Sequence, residues 1–253
     1  MPAHIYLRTG RFNDASVANE RAKKADEDYF AGNRVAGNMM YEVGYYTHNI
    51  HFFTTSAAME GRRAAALKAA ADLVSKVHAD MLRDPSMGGM VQHMHLTPLF
   101  MQIRFGMWPE VLAAPTPAAD LPYMRAMWHA GRGLAYAAGD RIAGAEKERA
   151  AIAALLPAPS LKTLYVSSVN VAASIVAVAH EVLSGEIAAR RRRTAEAIGH
   201  FASAVKLEDG LTYMEPPDLF PMLKGEENLG VPAVLSARCF PVAPAVQPGR
   251  RDP

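Results

Sequence analysis

The sequence predicts an all-α protein, built as an α-solenoid of stacked helical hairpins. Three observations predict it. A short pattern recurs along the chain: a helix-like run, a glycine, then a small residue five or six positions later that opens a second run. Proline- and glycine-rich stretches ("RDPSMGG", "APTPAADLP" and "LPAPS") separate these runs as connectors. No stretch shows sustained strand alternation, and no glycine-rich phosphate loop is present.

The units follow in order. In "YLRTGRFNDASVANERA", Gly10 leads to Ala15; in "AAMEGRRAAALKAAADL", Gly61 leads to Ala66. The third unit, "IRFGMWPEVL", has Gly106 and Val111, and the fourth, "GLAYAAGDRIAGAEKERAAI", has Gly139 and Ala145. In "GEIAARRRRTAEAIGHFASAV", Arg192 stands in the glycine's place and Ala197 follows. Glycine takes the left-handed conformation that ends a helix. The small residue then lets the second helix approach the first closely. Each hairpin keeps an apolar face that only a neighbouring hairpin covers, which is why such units stack. Asp120 and Ser160 are candidate helix caps. The repeat region is expected to span residues 1–218, and 219–253, rich in proline, to be an irregular tail.

Bulk properties exclude several classes. Half of the 253 residues are apolar, enough for a large core. Basic and acidic residues nearly cancel, 27 against 25, so no global charge argues for nucleic acid. The local run Arg190 to Arg193 is expected to be a solvated helix end, where arginines suit the dipole. One cysteine, Cys239, excludes an internal disulfide framework and a cysteine-rich zinc module. No signal peptide pattern opens the chain, so a cytoplasmic location is expected. The apolar segment "LYVSSVNVAASIVAVAHEVL" contains Asn170, His180, Glu181 and three serines, and is expected to be a buried helix and not a membrane span.

The marker positions are 51, 45, 33 and 53 residues apart, and the 33 is close to the tetratricopeptide period of about 34. The strings "HIYLRTGRFNDASVANERA", "YYTHNIHFF…AMEGRRAAAL", "RFGMWPEVL", "MWHAGRGLAYAAGD" and "KLEDGLTYMEPPD" resemble a bacterial group of tetratricopeptide-repeat (TPR-like) proteins over roughly residues 2 to 218. The resemblance implies a helical-hairpin solenoid of no established activity. Proteins of this kind carry further hairpins before "PAHIYLRTG", and a tryptophan where Leu219 stands, so the chain is expected to be shortened at its start and divergent at its end.

"YYTHNIHFF" holds the sharpest candidate residues. On a helix His48 and His51 lie about 60° apart, and Thr55 and Ala58 continue their stripe. Ile50, Phe53 and Ala57 form a separate, apolar stripe suited to packing. The histidine stripe is therefore expected on a groove, where Tyr41, Tyr45, His48, His51 and Thr55 offer hydrogen bonds and flat contact area to a peptide or protein partner. The alternative is a divalent transition metal ion held by His4, His48 and His51, with Glu215 or Asp218 completing the three or four ligands required. His93 and His95 align on a strand but not on a helix, and are expected as a solvated pair near a helix start. His129, His180 and His200 are expected as satisfied interior or boundary residues. No zinc-protease motif, serine elbow or nucleotide loop appears, so a non-catalytic interaction module without cofactor is the expectation, with self-association through open hairpin ends.

Overall fold

The computed structural model describes residues 2–32, 40–166 and 169–212. Glu215, Asp218 and the boundary expected at 218 lie outside the described residues, as does the segment 219–253. The described chain is all-α apart from one two-stranded ribbon. Its helices are α1 (Pro2–Arg8), α2 (Phe12–Gly32), a π-helical turn (Met40–Tyr46), α3 (Thr47–Met59) and α4 (Arg63–Lys76). A 3-10 turn (Ala79–Arg83), α5 (Gly88–Arg104), α6 (Trp108–Ala113), α7 (Pro122–Ala138), α8 (Ile142–Leu155) and α9 (Pro159–Thr163) follow. The ribbon pairs β1 (Tyr165–Val166) with β2 (Asn170–Val171), and α10 (Ala172–Arg190) and α11 (Thr194–Asp209) close the described region.

Five hairpins share one turn. Gly10, Gly61, Gly106, Asp140 and Arg192 all take the left-handed conformation, with φ of 73, 75, 63, 54 and 60°. In each, the next amide donates back to the carbonyl five residues earlier, as Arg11 N to Tyr6 O and Arg62 N to Ala57 O. The same bond joins Met107 N to Gln102 O, Arg141 N to Tyr136 O and Arg193 N to Ala188 O, which makes every turn a Schellman motif. In the fourth unit the left-handed residue is Asp140, one position after the glycine that marks it in the sequence. Gly139 itself sits at φ −92°. With that correction the small residue always follows by five, and Ala15, Ala66, Val111, Ala145 and Ala197 are all buried. The interval from 106 to 140 becomes 34 residues.

Packing runs from each hairpin to the next. α2 packs on α3, α4 on α5, α6 on α7 and α8 on α10, while α5 also touches α3 and α7 touches α10. The main core follows this row, with Ile103, Val111, Tyr123, Met127, Ile152, Ile175 and Leu183 fully enclosed. A second cluster, Val43, Tyr46, Ile50, Leu73, Val77, Val91 and Met94, joins α3 and α4 to the start of α5.

The segment expected as one buried helix divides. Residues 165–166 and 170–171 form the ribbon instead, and Asn170 pins it: its Nδ2 donates to Thr212 O at 3.0 Å, and Thr212 N donates to its Oδ1 at 2.8 Å. Only from Ala172 onward is the helix present. Among the described residues α10 alone is long and apolar enough, by length and composition, to cross a membrane. Its Ile175, Val176, Val178, Ala179, Leu183 and Ile187 are buried inside the protein.

The two caps expected are not caps. Asp120 instead takes a two-point bond from Arg83, Nε at 2.6 Å and Nη2 at 3.0 Å, while Ser160 lies inside α9, which begins at Pro159. The arginine run closes the last turn: Arg191 pairs with Glu146 at 2.8 Å, Arg190 with Asp140 at 3.5 Å and Arg193 with Glu196 at 3.3 Å.

Candidate functional site

The candidate site is built on α3, the first helix of the second hairpin. The π-helical turn runs into α3 without a break, and Thr47 Oγ1 donates to Val43 O across the joint. A π turn inserts one residue per turn and so re-aims the side chains before it. Tyr41 and Tyr45, on the turn, lie with ring centroids 6.1 Å apart. Tyr45 is 60% exposed.

Tyr41 is tied to α2. Its hydroxyl donates to Asp26 Oδ1 at 2.6 Å, and Asn49 Nδ2 donates to Asp26 Oδ2 at 2.8 Å. The bond from Asp26 raises the Tyr41 hydroxyl above its ordinary pKa, so it stays protonated and donating. Tyr46 does the same beside it, donating to Glu27 at 3.0 Å, with burial the larger cause of its raised pKa. These bonds fix the turn to α2 and leave the Tyr45 ring facing out.

His48 and His51 diverge. His48 turns toward α1, where its ring centroid is 5.4 Å from that of His4, and both rings rest on Phe52, at 4.3 and 4.4 Å. His51 turns toward α5 and meets His93 edge-on at 5.7 Å. His93 Nδ1 and the Tyr123 hydroxyl share a 2.8 Å hydrogen bond, which carries the row on to α7. Thr55, half-buried, donates to His51 O at 3.2 Å. Ala58, which continues the stripe on α3, is buried in the core.

A row of rings thus crosses four consecutive hairpins on the side of their first helices: His4, His48 with Phe52, His51, His93, Tyr123. The structure joins His4 with His48, and His51 with His93, but does not bring His4, His48 and His51 together as one ring cluster. Among the described residues no group of three or more His, Cys, Asp or Glu is placed to hold a metal ion.

His93 and His95 correct the expectation of a solvated pair. Both lie within α5; His93 is buried, and His95 Nε2 donates to Val77 O at 3.0 Å. Burial lowers the His95 pKa despite that carbonyl. His93, Phe52 and Tyr123 are the members of the row that the sequence pattern missed. One signal marks His93: it stands thirteen residues before its left-handed turn residue, as His48 does.

His129, His180 and His200 each have a carboxylate beside them. His129 Nδ1 and Glu148 Oε2 lie 2.5 Å apart, and Arg132 Nε donates to the other oxygen of Glu148 at 3.0 Å. His200 pairs with Glu181 at 2.8 Å, and His180 approaches the same carboxylate at 3.5 Å. Away from the row, a cavity of about 320 Å³ lies between α2 and α4, floored by Ile50, Phe53 and Ala69. Its rim is bridged by Lys23–Asp72 at 3.7 Å and Arg62–Glu20 at 3.6 Å, so charges of both signs are already matched across it.

Set against protein-family models, curated proteins and solved structures, the chain finds no match in any of the three.

Proposed function

We propose that this chain is a TPR-like solenoid that acts as a non-catalytic interaction module, binding an extended peptide or a partner helix on the concave side formed by its first helices. The observation that carries the reading is the exposed Tyr45 ring with the partly exposed Tyr41, His48 and His51 along the same helical segment, backed by the buried rings of Phe52, His93 and Tyr123. Flat aromatic and imidazole groups supply contact area at low entropic cost, as recognition surfaces require. The ties from Asp26 hold the Tyr45 end rigid, so little ordering is needed when a partner arrives.

Selection from a displayed peptide library tests this. Selected peptides are expected to bind wild type, and to weaken at least about tenfold with the Tyr45→Ala, His51→Ala variant, whose helical spectrum is unchanged; tenfold is ~1.4 kcal/mol, modest for an aromatic anchor. If no peptide is recovered, or selected peptides bind the variant equally well, the reading fails.

The contact between His4 and His48 favours a second reading, a divalent transition metal ion held by these two imidazoles and further ligands. Elemental analysis of untagged protein is then expected to find about one metal per chain, lost in the His4→Ala, His48→Ala variant. Metal-free protein after loading with zinc, nickel and copper removes it.

A further inference from the structure

Around the Tyr45 ring the described residues concentrate negative charge and acceptor oxygens. The end of α2 carries Asp26, Glu27 and Asp28 in sequence, with no basic residue in its last turn. The helix dipole is already negative at that end, so the triplet adds charge of the same sign. The π-helical turn, which packs on α2, adds Glu42, exposed and three residues before Tyr45.

The protein itself answers part of this charge. Lys24 pairs with Asp28 at 2.8 Å, and Lys23 stands 3.7 Å from both Glu27 and Asp72. Among the described residues no lysine or arginine pairs with Asp26 or Glu42. Asp26 is 7% exposed and takes its bonds from two neutral donors, the Tyr41 hydroxyl and the Asn49 amide. Buried charges are ordinarily paired with an opposite charge. The Tyr46 hydroxyl registers the field: burial and its bond to Glu27 raise its pKa first, and the charges of Glu27, Asp26 and Asp72 raise it further.

Asn49 adds an unmet acceptor. It stands four residues after Tyr45, one turn along the same face, and is 6% exposed. Its Nδ2 is committed to Asp26, and its Oδ1 is enclosed without a hydrogen-bond partner. Leaving a buried acceptor unmade is costly, so such an atom calls for a donor from outside the fold. A donor-rich cation answers the charge, the acceptor and the exposed ring together. The guanidinium of arginine carries five donors, is always charged, and stacks flat on aromatic rings.

We infer that the peptide taken at the Tyr45 end is basic, and that one of its arginines stacks on the Tyr45 ring with its charge set against Glu42, Asp26 and Glu27 and a donor turned toward Asn49 Oδ1. This names the partner's chemistry, and it rests on the reading of the Tyr45 segment as the contact surface of an interaction module.

Two displayed libraries of random peptides test the inference, identical but for one central position, fixed as arginine in one and as glutamine in the other. Peptides whose binding falls at least about tenfold with Tyr45→Ala are expected from the arginine library alone. Exchanging that arginine for citrulline removes the charge and keeps the shape, and is expected to weaken binding about tenfold. Tyr45→Phe keeps the ring and is expected to bind as wild type does, Tyr45→Leu to lose about tenfold, and Glu42→Gln to lose ~threefold. The citrulline exchange alters only the peptide, so it decides the matter even where a variant's helical spectrum changes. Tyr45-dependent peptides recovered equally from both libraries, or indifferent to citrulline, overturn the inference and leave the interaction module standing. If neither library yields a Tyr45-dependent peptide, the module reading itself fails, and this inference with it.

Discussion

Replacing Gly89 by alanine is expected to destabilise the protein by at least ~3 kcal/mol, in the range reserved for severe overpacking against backbone. A Cβ at this position would stand 2.0 Å from the Tyr165 carbonyl oxygen and 2.8 Å from its carbon. Both atoms belong to β1, and β1 is not free to retreat. Ala172 N donates to Leu164 O at 2.8 Å, β1 and β2 pair in antiparallel register, and Asn170 ties the ribbon to Thr212. The substitution must therefore push α5 and the ribbon apart. Chemical denaturation measures the loss, and Gly199→Ala is the control. Nothing lies within 4 Å of a Cβ at Gly199, and alanine there is expected to add ~0.5–1 kcal/mol through helix propensity. A Gly89→Ala protein as stable as wild type would mean that the ribbon does not rest on α5.

The second large effect comes from Glu186 on α10. Burial raises its carboxyl from 4.5 to about 7, an increase that the charge of nearby Arg190 partly offsets. One oxygen, Oε1, is buried without a hydrogen-bond partner. The folded state thus favours the protonated carboxyl, and the sign follows. The contribution of Glu186 to stability is greatest below pH 4.5, falls as the pH rises toward 7, and stays at the lower level above it. The difference is about 3 kcal/mol at ~1.4 kcal/mol per unit of pKa. Glu186→Gln keeps the shape without the charge, so at pH 8 it is expected to be more stable than wild type by ~2–3 kcal/mol, and nearly equal to it at pH 4. Denaturation curves at the two values decide the matter. An equal gain at both would show that packing and not ionisation is responsible.

The hairpins and their order were legible because the turn is a local event. A left-handed residue and a small residue five places on are written in contiguous letters, and four of five turn positions follow from them. Asp140 escaped because Gly139 stands next to it, and aspartate also tolerates the left-handed region. The ribbon escaped for another reason. Its strands are two residues each, and what holds them is a side chain reaching Thr212, forty-two residues away.

The site was legible in part. Helical spacing placed His48 and His51 on one stripe, yet it carried no information about which neighbour each ring would meet. Two imidazoles 60° apart sit between two different hairpins, so one turned to α1 and the other to α5. The spacing of His93 and His95 by two carries no information on the depth of His93. Its depth comes from α3 and α7 closing over α5, a contact between distant segments.

The constancy of the five turns also sets where the chain tolerates added length. Intervals between turns range from 34 to 52 residues, while the step from the turn residue to the buried small residue is always five. An epitope inserted among residues 116–119 extends an exposed connector and leaves both flanking helices in phase. One residue inserted between Gly61 and Ala66 rotates α4 by about 100° and turns Ala66 away from its partner helix. Grafting and tagging therefore have one permissive border and one forbidden border.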